Sequence, residues 1–279
     1  MREQWFPLGV GPTNSKCSFA GSDQEEILKA NKKLLPETWI WQNKPITYKY
    51  NSLGHRNDFD FESINPKEYT AILGCSHIEG TGVINNWTIP SFYKNISGQK
   101  TYNLGQGGMD NEIIFINALW AKQVGFKNII VCWTYPERNF LFKSGGGINI
   151  FQGTDVGDKR YLKYFKTDYM VDNPHWEERI KLYEHILKAD NVYTFRFFDG
   201  KGEEHKVVFS GNDSIWMKHN VMDLKILDDA KNRIHLLNDL YARDLNMYKE
   251  KGQTRFSAHF GPEVNKQIAN YLVNTIKNG

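Results

Sequence analysis

Cysteine is scarce in this chain: Cys17, Cys75 and Cys132 are the only three in 279 residues. An odd number spread so far apart excludes a disulfide-stapled scaffold and points to free thiols in a reducing compartment. Charge of one sign is also lacking, with a net +3 from 35 basic and 32 acidic residues. The nearest approach to a basic run, Lys29-Ala30-Asn31-Lys32-Lys33, reads as a solvated face, so nucleic acid is not an expected partner. No stretch approaches the roughly 18 apolar residues of a membrane span, and Met1-Arg2-Glu3-Gln4-Trp5-Phe6-Pro7 lacks the basic-then-apolar pattern of a secretory signal. These absences point to a cytoplasmic or virion-associated chain with no membrane partner. His55, His77, His175, His185, His205, His219, His235 and His259 are scattered without metal-ligand spacing, so no metal is expected.

Aromatic residues are plentiful, with eight Trp, fourteen Tyr and seventeen Phe. They suit either a packed core or stacking on sugar rings. Regular structure begins near Glu68, where Tyr69-Thr70-Ala71-Ile72-Leu73 is a short apolar run stopped by Gly74, the pattern of a buried parallel strand. Lys100 to Leu104 repeats it up to Gly105. Asp110 is placed to cap a helix carrying Ile113, Ile116, Trp120 and Val124 and ending at Gly125. Residues 127–133 form the clearest strand. The order over 70–133 is thus strand, loop, strand, helix, strand, which predicts a parallel sheet with helices on its faces.

Beyond this, Gly145-Gly146-Gly147 reads as a flexible loop and Pro174 opens a helix reaching Leu187. Val192–Phe198 and Lys206–Phe209 flank Asp199-Gly200-Lys201-Gly202 as a β-hairpin, expected as an insertion or edge ornament. A helix is expected over Leu224–Tyr241. Another follows Gly261-Pro262, with Val264, Ile268, Tyr271, Leu272 and Ile276 on one stripe. Residues 1–45 read as an N-terminal extension packing on the core, and 46–279 as one domain with insertions over 140–240.

Three segments put reactive groups beyond strand ends, where α/β folds place ligands. In Gly74-Cys75-Ser76-His77 a serine leaves a buried strand on a tight turn, with its hydroxyl able to face a cleft. Asn103-Leu104-Gly105-Gln106-Gly107-Gly108 is a glycine-rich strand-to-helix turn whose amides can face an anion, although its spacing is not the dinucleotide G-x-G-x-x-G. His259 precedes a helix start, where the dipole favours the neutral imidazole that a serine needs. Cys75 is a second, weaker candidate nucleophile.

Together these blocks, with Ala242-Arg243-Asp244 upstream of His259-Phe260-Gly261-Pro262, resemble the SGNH (GDSL-type) hydrolase superfamily. Tyr48-Lys49-Tyr50-Asn51-Ser52-Leu53-Gly54-His55-Arg56 is similar to the N-S-x-G-F-R lead-in of a subgroup common in bacteria and phages. The resemblance covers about residues 47–139 and 241–277. It implies a three-layer α/β/α sandwich with a flavodoxin-like parallel sheet, and cofactor-free hydrolysis of an acyl ester on a carbohydrate or similar small substrate. Carried onto this chain, it makes Ser76 the nucleophile, His259 the base and Asp244 its orienting carboxylate. The amides of Ser76 and Gly108 would form the oxyanion hole.

The chain departs from the pattern at four places. Cys75 stands where an aspartate usually precedes the serine. The third block has no asparagine, so Asn111 or Arg138 would complete the oxyanion hole. Asp244 lies fifteen residues before His259 rather than three, with Phe256 at the usual place. His77 and Glu79 replace small polar residues and, with Trp133 and Tyr135, are expected to line the substrate pocket. A different class of function is kept open: a catalytically impaired relative that binds glycan or packs into an assembly such as a virion. The acyl group and the oligomeric state are not legible in the sequence.

Overall fold

A computed structural model describes residues 13–17, 43, 47–134, 139–143, 146–150, 176–196, 206–211, 220–223 and 262–278. Its centre is a six-stranded sheet. Four strands are parallel: β3 (Tyr69–Gly74), β4 (Lys100–Gly105), β5 (Asn128–Trp133) and β8 (Val192–Arg196). They lie in the order β4-β3-β5-β8, so the second strand in sequence sits outside the first and the chain then crosses to the other side. β9 (Lys206–Gly211) and β10 (Asn220–Asp223) continue the sheet antiparallel beyond β8. The chain is an α/β protein built on this sheet.

The expected hairpin is therefore half core: its first arm, β8, is the fourth parallel strand, paired with β5 from Ile129↔Val192 to Trp133↔Arg196. Only β9 and β10 extend the edge. A second correction concerns Gly146 and Gly147, which lie in a ladder between β6 (Asn139–Lys143) and β7 (Gly146–Ile150) rather than in a loop. A short pair, β1 (Lys16–Cys17) with β2 (Tyr48–Lys49), ties residues 13–17 to the segment just before the sheet. The helix expected over Leu224–Tyr241 lies outside the described residues.

Strand alternation sorts the core into two layers. Ile72, Ile130, Cys132, Tyr193 and Phe195 pack under α2 (Ile89–Ser97) and α5 (Pro262–Asn278). Ala71, Leu73, Ile129, Val131, Trp133 and Val192 pack under α3 (Asn111–Val124) and α4 (Trp176–Leu187). Each such aliphatic side chain contributes roughly 1.5–3 kcal/mol when fully buried. Asp110 caps α3 by accepting from the Ile113 amide at 2.9 Å, and Gly125 closes it at φ 83°. Sequence pattern missed α2. Its buried stripe is short, and its signs are the Thr88 cap, which accepts from the Ser91 amide, and Pro90 in the first turn.

β3 is thus flanked by connections that leave to opposite faces: through α2 to β4 on one side, and from β4 through α3 to β5 on the other. Its carboxyl end is the switch point of the sheet, the place where such folds open a crevice for a ligand. The Ser76 segment begins there.

Candidate active site

Ser76 opens α1 (Ser76–Glu79), a single turn capped by Cys75 and closed by Gly80 at φ 84°. It is 5% exposed, and Cys75 is fully buried. Beside it, β4 runs into the glycine loop. A Cβ on Gly105 would lie 2.3 Å from Glu79 N and 2.6 Å from Ile78 C, so only glycine lets the two turns close on each other. A Cβ on Gly107 would lie 4.0 Å from the Cβ of Ser76. The structure therefore brings together the serine turn and the glycine loop that the sequence singled out separately.

Most amides of that loop are committed. Gly105 N–H donates to Asn103 Oδ1 at 2.9 Å, Gln106 N–H to Gly74 O at 3.0 Å, and Met109 N–H to Gln106 O at 3.4 Å. A Cβ on Gly107 would also meet Glu79 Oε2 at 2.9 Å. Gly108 takes φ 81°, and its N–H has no acceptor among the described residues.

Glu79, expected at the substrate, is turned inward instead. Its side chain accepts from the Tyr50 hydroxyl at 2.7 Å and the Thr81 hydroxyl at 3.1 Å. Burial pushes its carboxyl above the usual carboxylate range, opposed by the Tyr50 hydroxyl, the Arg56 charge, the Thr81 hydroxyl and the Gly107 amide. Arg56, 1% exposed, ties off the far end of α1 by donating to the carbonyls of Glu79, Gly80 and Val83. Its guanidinium lies 4.2 Å from the Tyr48 ring centroid. Tyr48, Tyr50 and Arg56 thus wrap the serine turn.

The same segment seals the free edge of the sheet. Asn57 makes a reciprocal pair with the Asn103 backbone, both bonds at 2.9 Å, in place of a neighbouring strand on β4. His55 is fully buried, with Nδ1 3.0 Å from the Tyr102 hydroxyl, and burial alone lowers its pKa to about 3. It is a neutral core histidine.

At the end of β5, Asn111 grips Thr134: Asn111 Oδ1 accepts from Thr134 N–H at 2.8 Å, and Asn111 Nδ2 donates to Thr134 O at 3.2 Å. Thr134 is 1% exposed, and its hydroxyl has no partner among the described residues. Sequence reading missed this residue, although a hydroxyl at a strand's carboxyl end was signal enough. Trp133, expected to touch substrate, is fully buried in the α3/α4 layer, with its indole N–H donating to Glu184 at 3.0 Å. That correction follows from strand parity, because Trp133 shares a face with Ile129 and Val131. His77, 6% exposed, is buried in α1. Tyr135, Arg138, Asp244 and His259 lie outside the described residues.

Among the described residues no group of three His, Cys, Asp or Glu side chains could hold a metal ion, and no helix is long and apolar enough to cross a membrane. No family model matches the chain, and no curated protein does.

Proposed function

We propose that this chain is a serine esterase of SGNH type, with a flavodoxin-like α/β/α sandwich, that removes an acyl group from a carbohydrate or similar small ester. The observation that carries the reading is the glycine loop lying against the Ser76 turn at the switch point of the sheet, with no acceptor for the Gly108 N–H among the described residues. A hydroxyl next to a preorganised, unoccupied amide is the minimum an acyl transfer needs.

In this mechanism Ser76 Oγ attacks the ester carbonyl and His259 accepts its proton, with Asp244 behind the imidazole. Negative charge developing on the carbonyl oxygen meets the N–H groups of Gly108 and Ser76. The Thr134 hydroxyl supplies a third donor at the end of β5, where the resemblance has an asparagine. His259 then protonates the departing alcohol, and water activated by the same histidine releases the acid. The start of α5, three residues after His259, is held near α2 by Asn265 Nδ2 donating to Trp87 O at 2.9 Å.

The test is labelling with a fluorophosphonate followed by mass-spectrometric mapping. The expected adduct is on Ser76, absent in Ser76→Ala and lost in His259→Ala. Thr134→Val is expected to slow labelling by about 10²-fold, the usual cost of one oxyanion donor. No adduct under conditions that label a control esterase would overturn the reading in favour of a glycan-binding or assembly role.

A further inference from the structure

The alternation of β2 decides what grips the end of the serine turn. Tyr48 and Tyr50 share one buried face, whereas Lys49 between them is exposed. From that face the Tyr48 hydroxyl accepts from Gly82 N–H, and the Tyr50 hydroxyl donates to Glu79 Oε1 at 2.7 Å. Gly80 and Thr81, between those two contacts, donate from their amides to Ser76 O at 2.9 and 3.0 Å. A slip of one residue in β2 would carry both tyrosines outward and Lys49 inward.

The register of β2 is set by residues 14–17, which lie outside both stretches that resemble the hydrolases. Lys16 stands opposite Lys49, and Cys17 opposite Tyr48. Tyr50 N–H donates to Ser15 O and Asn14 N–H to Asn51 O, both at 2.9 Å. Like charges face each other at Lys16 and Lys49, which weakens the pair and leaves its hold to the backbone bonds. Asn14 ends the pairing at φ 48°, the single left-handed residue other than glycine among the described residues. Its partner Asn51 is fixed in turn, with Oδ1 accepting from the Leu53 and His55 amides and Nδ2 donating to the Tyr102 hydroxyl.

We propose that residues 14–17 are a positioning strap for acyl transfer: paired with β2, they hold Tyr48 and Tyr50 in the register that fixes residues 79–82 and, through them, the Ser76 backbone. This rests on the esterase reading and gives the N-terminal extension a part in it. The strap acts on the reaction through the turn, so the maximal rate rather than the binding constant carries its effect. Asn14 is the residue to alter. Proline there removes the N–H that bonds Asn51 O and forces φ to about −65°, whereas glycine keeps both the donor and the left-handed backbone.

Two measurements on the full chain test this. In amide hydrogen exchange, Asn14→Pro is expected to speed exchange at Thr81 and Gly82 by about tenfold or more while the amides of β5 keep the parent rate, and Asn14→Gly is expected to change neither. In fluorophosphonate labelling, resolved into a binding constant and a maximal rate, Asn14→Pro is expected to lower the maximal rate about tenfold and leave the binding constant within about twofold. Asn14→Gly is expected to label within about twofold of the parent. Parent-like exchange at Gly82 in Asn14→Pro, an equal loss of protection in β5, or an equal slowing by Asn14→Gly overturns the strap. A parent that does not label falls on the esterase reading instead, and the exchange comparison then decides the strap by itself.

Discussion

The turn after β3 and the turn after β4 both start at a strand-ending glycine and both run into a helix, yet they are held from different distances. Residues 74–80 are braced by Tyr50 and Arg56, which reach in from a segment more than twenty residues earlier. Residues 105–111 are braced partly from within, by Asn103 on the Gly105 amide and by the Asp110 cap, and partly by the neighbouring strand ends, by Gly74 O on the Gln106 amide and by Thr134 on Asn111. The serine turn therefore depends on the docking of a segment outside the sheet, whereas the glycine loop is set by its own residues and by the ends of β3 and β5. A short α1 gives little helical stability of its own, which is why the first turn needs outside help.

The contrast is broken most severely where the two turns meet. Gly105→Ala would press a methyl group against the backbone of Ile78 and Glu79, and backbone cannot yield as a side chain can. A loss of more than about 4 kcal/mol, or no folded protein, is expected in urea denaturation. A wild-type midpoint would show that the turns are not in contact. Arg56→Ala removes the remote brace, leaving Val83 O without its donor and Glu79 O and Gly80 O with only Asn103 Nδ2 and the Val83 amide, for an expected loss of about 1–3 kcal/mol. Arg56→Lys should recover little of it, since an ammonium cannot fork to several carbonyls around a ring stack.

Acid probes the same brace more gently. The His55 pKa is about 3 in the fold and 6.5 unperturbed, so between these values the unfolded chain binds the extra proton. Stability contributed by the neutral ring is complete above pH 6.5 and is lost as pH falls toward 3, at up to about 1.4 kcal/mol per unit. Glu79, shifted upward, acts in the opposite sense, gaining native stability as pH falls through its folded value toward 4.5. Comparing the parent with His55→Gln across pH 7 to 4 isolates the histidine, whose slope should vanish in the variant. The smallest effect belongs to the local cap of α3: Asp110→Ala removes one cap bond and should cost about 1 kcal/mol, with the Tyr50 and Arg56 contacts untouched. A larger loss there would mean that Asp110 holds more than its own helix.

What was legible in the sequence follows the same division. β3, β4, β5 and the capped α3 could be read because each carries its signal within a dozen or so residues: an apolar run, a stopping glycine, an aspartate before a helical stripe. α2 was lost because its stripe spans barely two turns. The antiparallel pairing of β8 with β9 was legible as a hairpin, but the parallel pairing of β8 with β5 on its other edge was not, because the apolar run is the same with or without that neighbour. Ser76 and the glycine loop were found as reactive-looking segments, but their mutual contact, and the inward turn of Glu79, are long-range facts that no period encodes. Trp133 could have been placed correctly by counting residues along β5, since alternate side chains must share a face.

The last helix has a consequence for the order in which the protein can be made. α5 covers Ile72, Ile130, Cys132 and Phe195 with Ile268, Ala269, Leu272 and Val273, on a face that among the described residues is otherwise sheltered by the short α2. During vectorial synthesis the sheet, the serine turn and the opposite helical layer all emerge before residue 262. A chain halted there carries the serine turn on a sheet with one side largely bare of its described cover, a sticky intermediate that invites chaperone capture or aggregation. Docking of α5, rather than formation of the serine turn, then becomes the step at which this fold is secured.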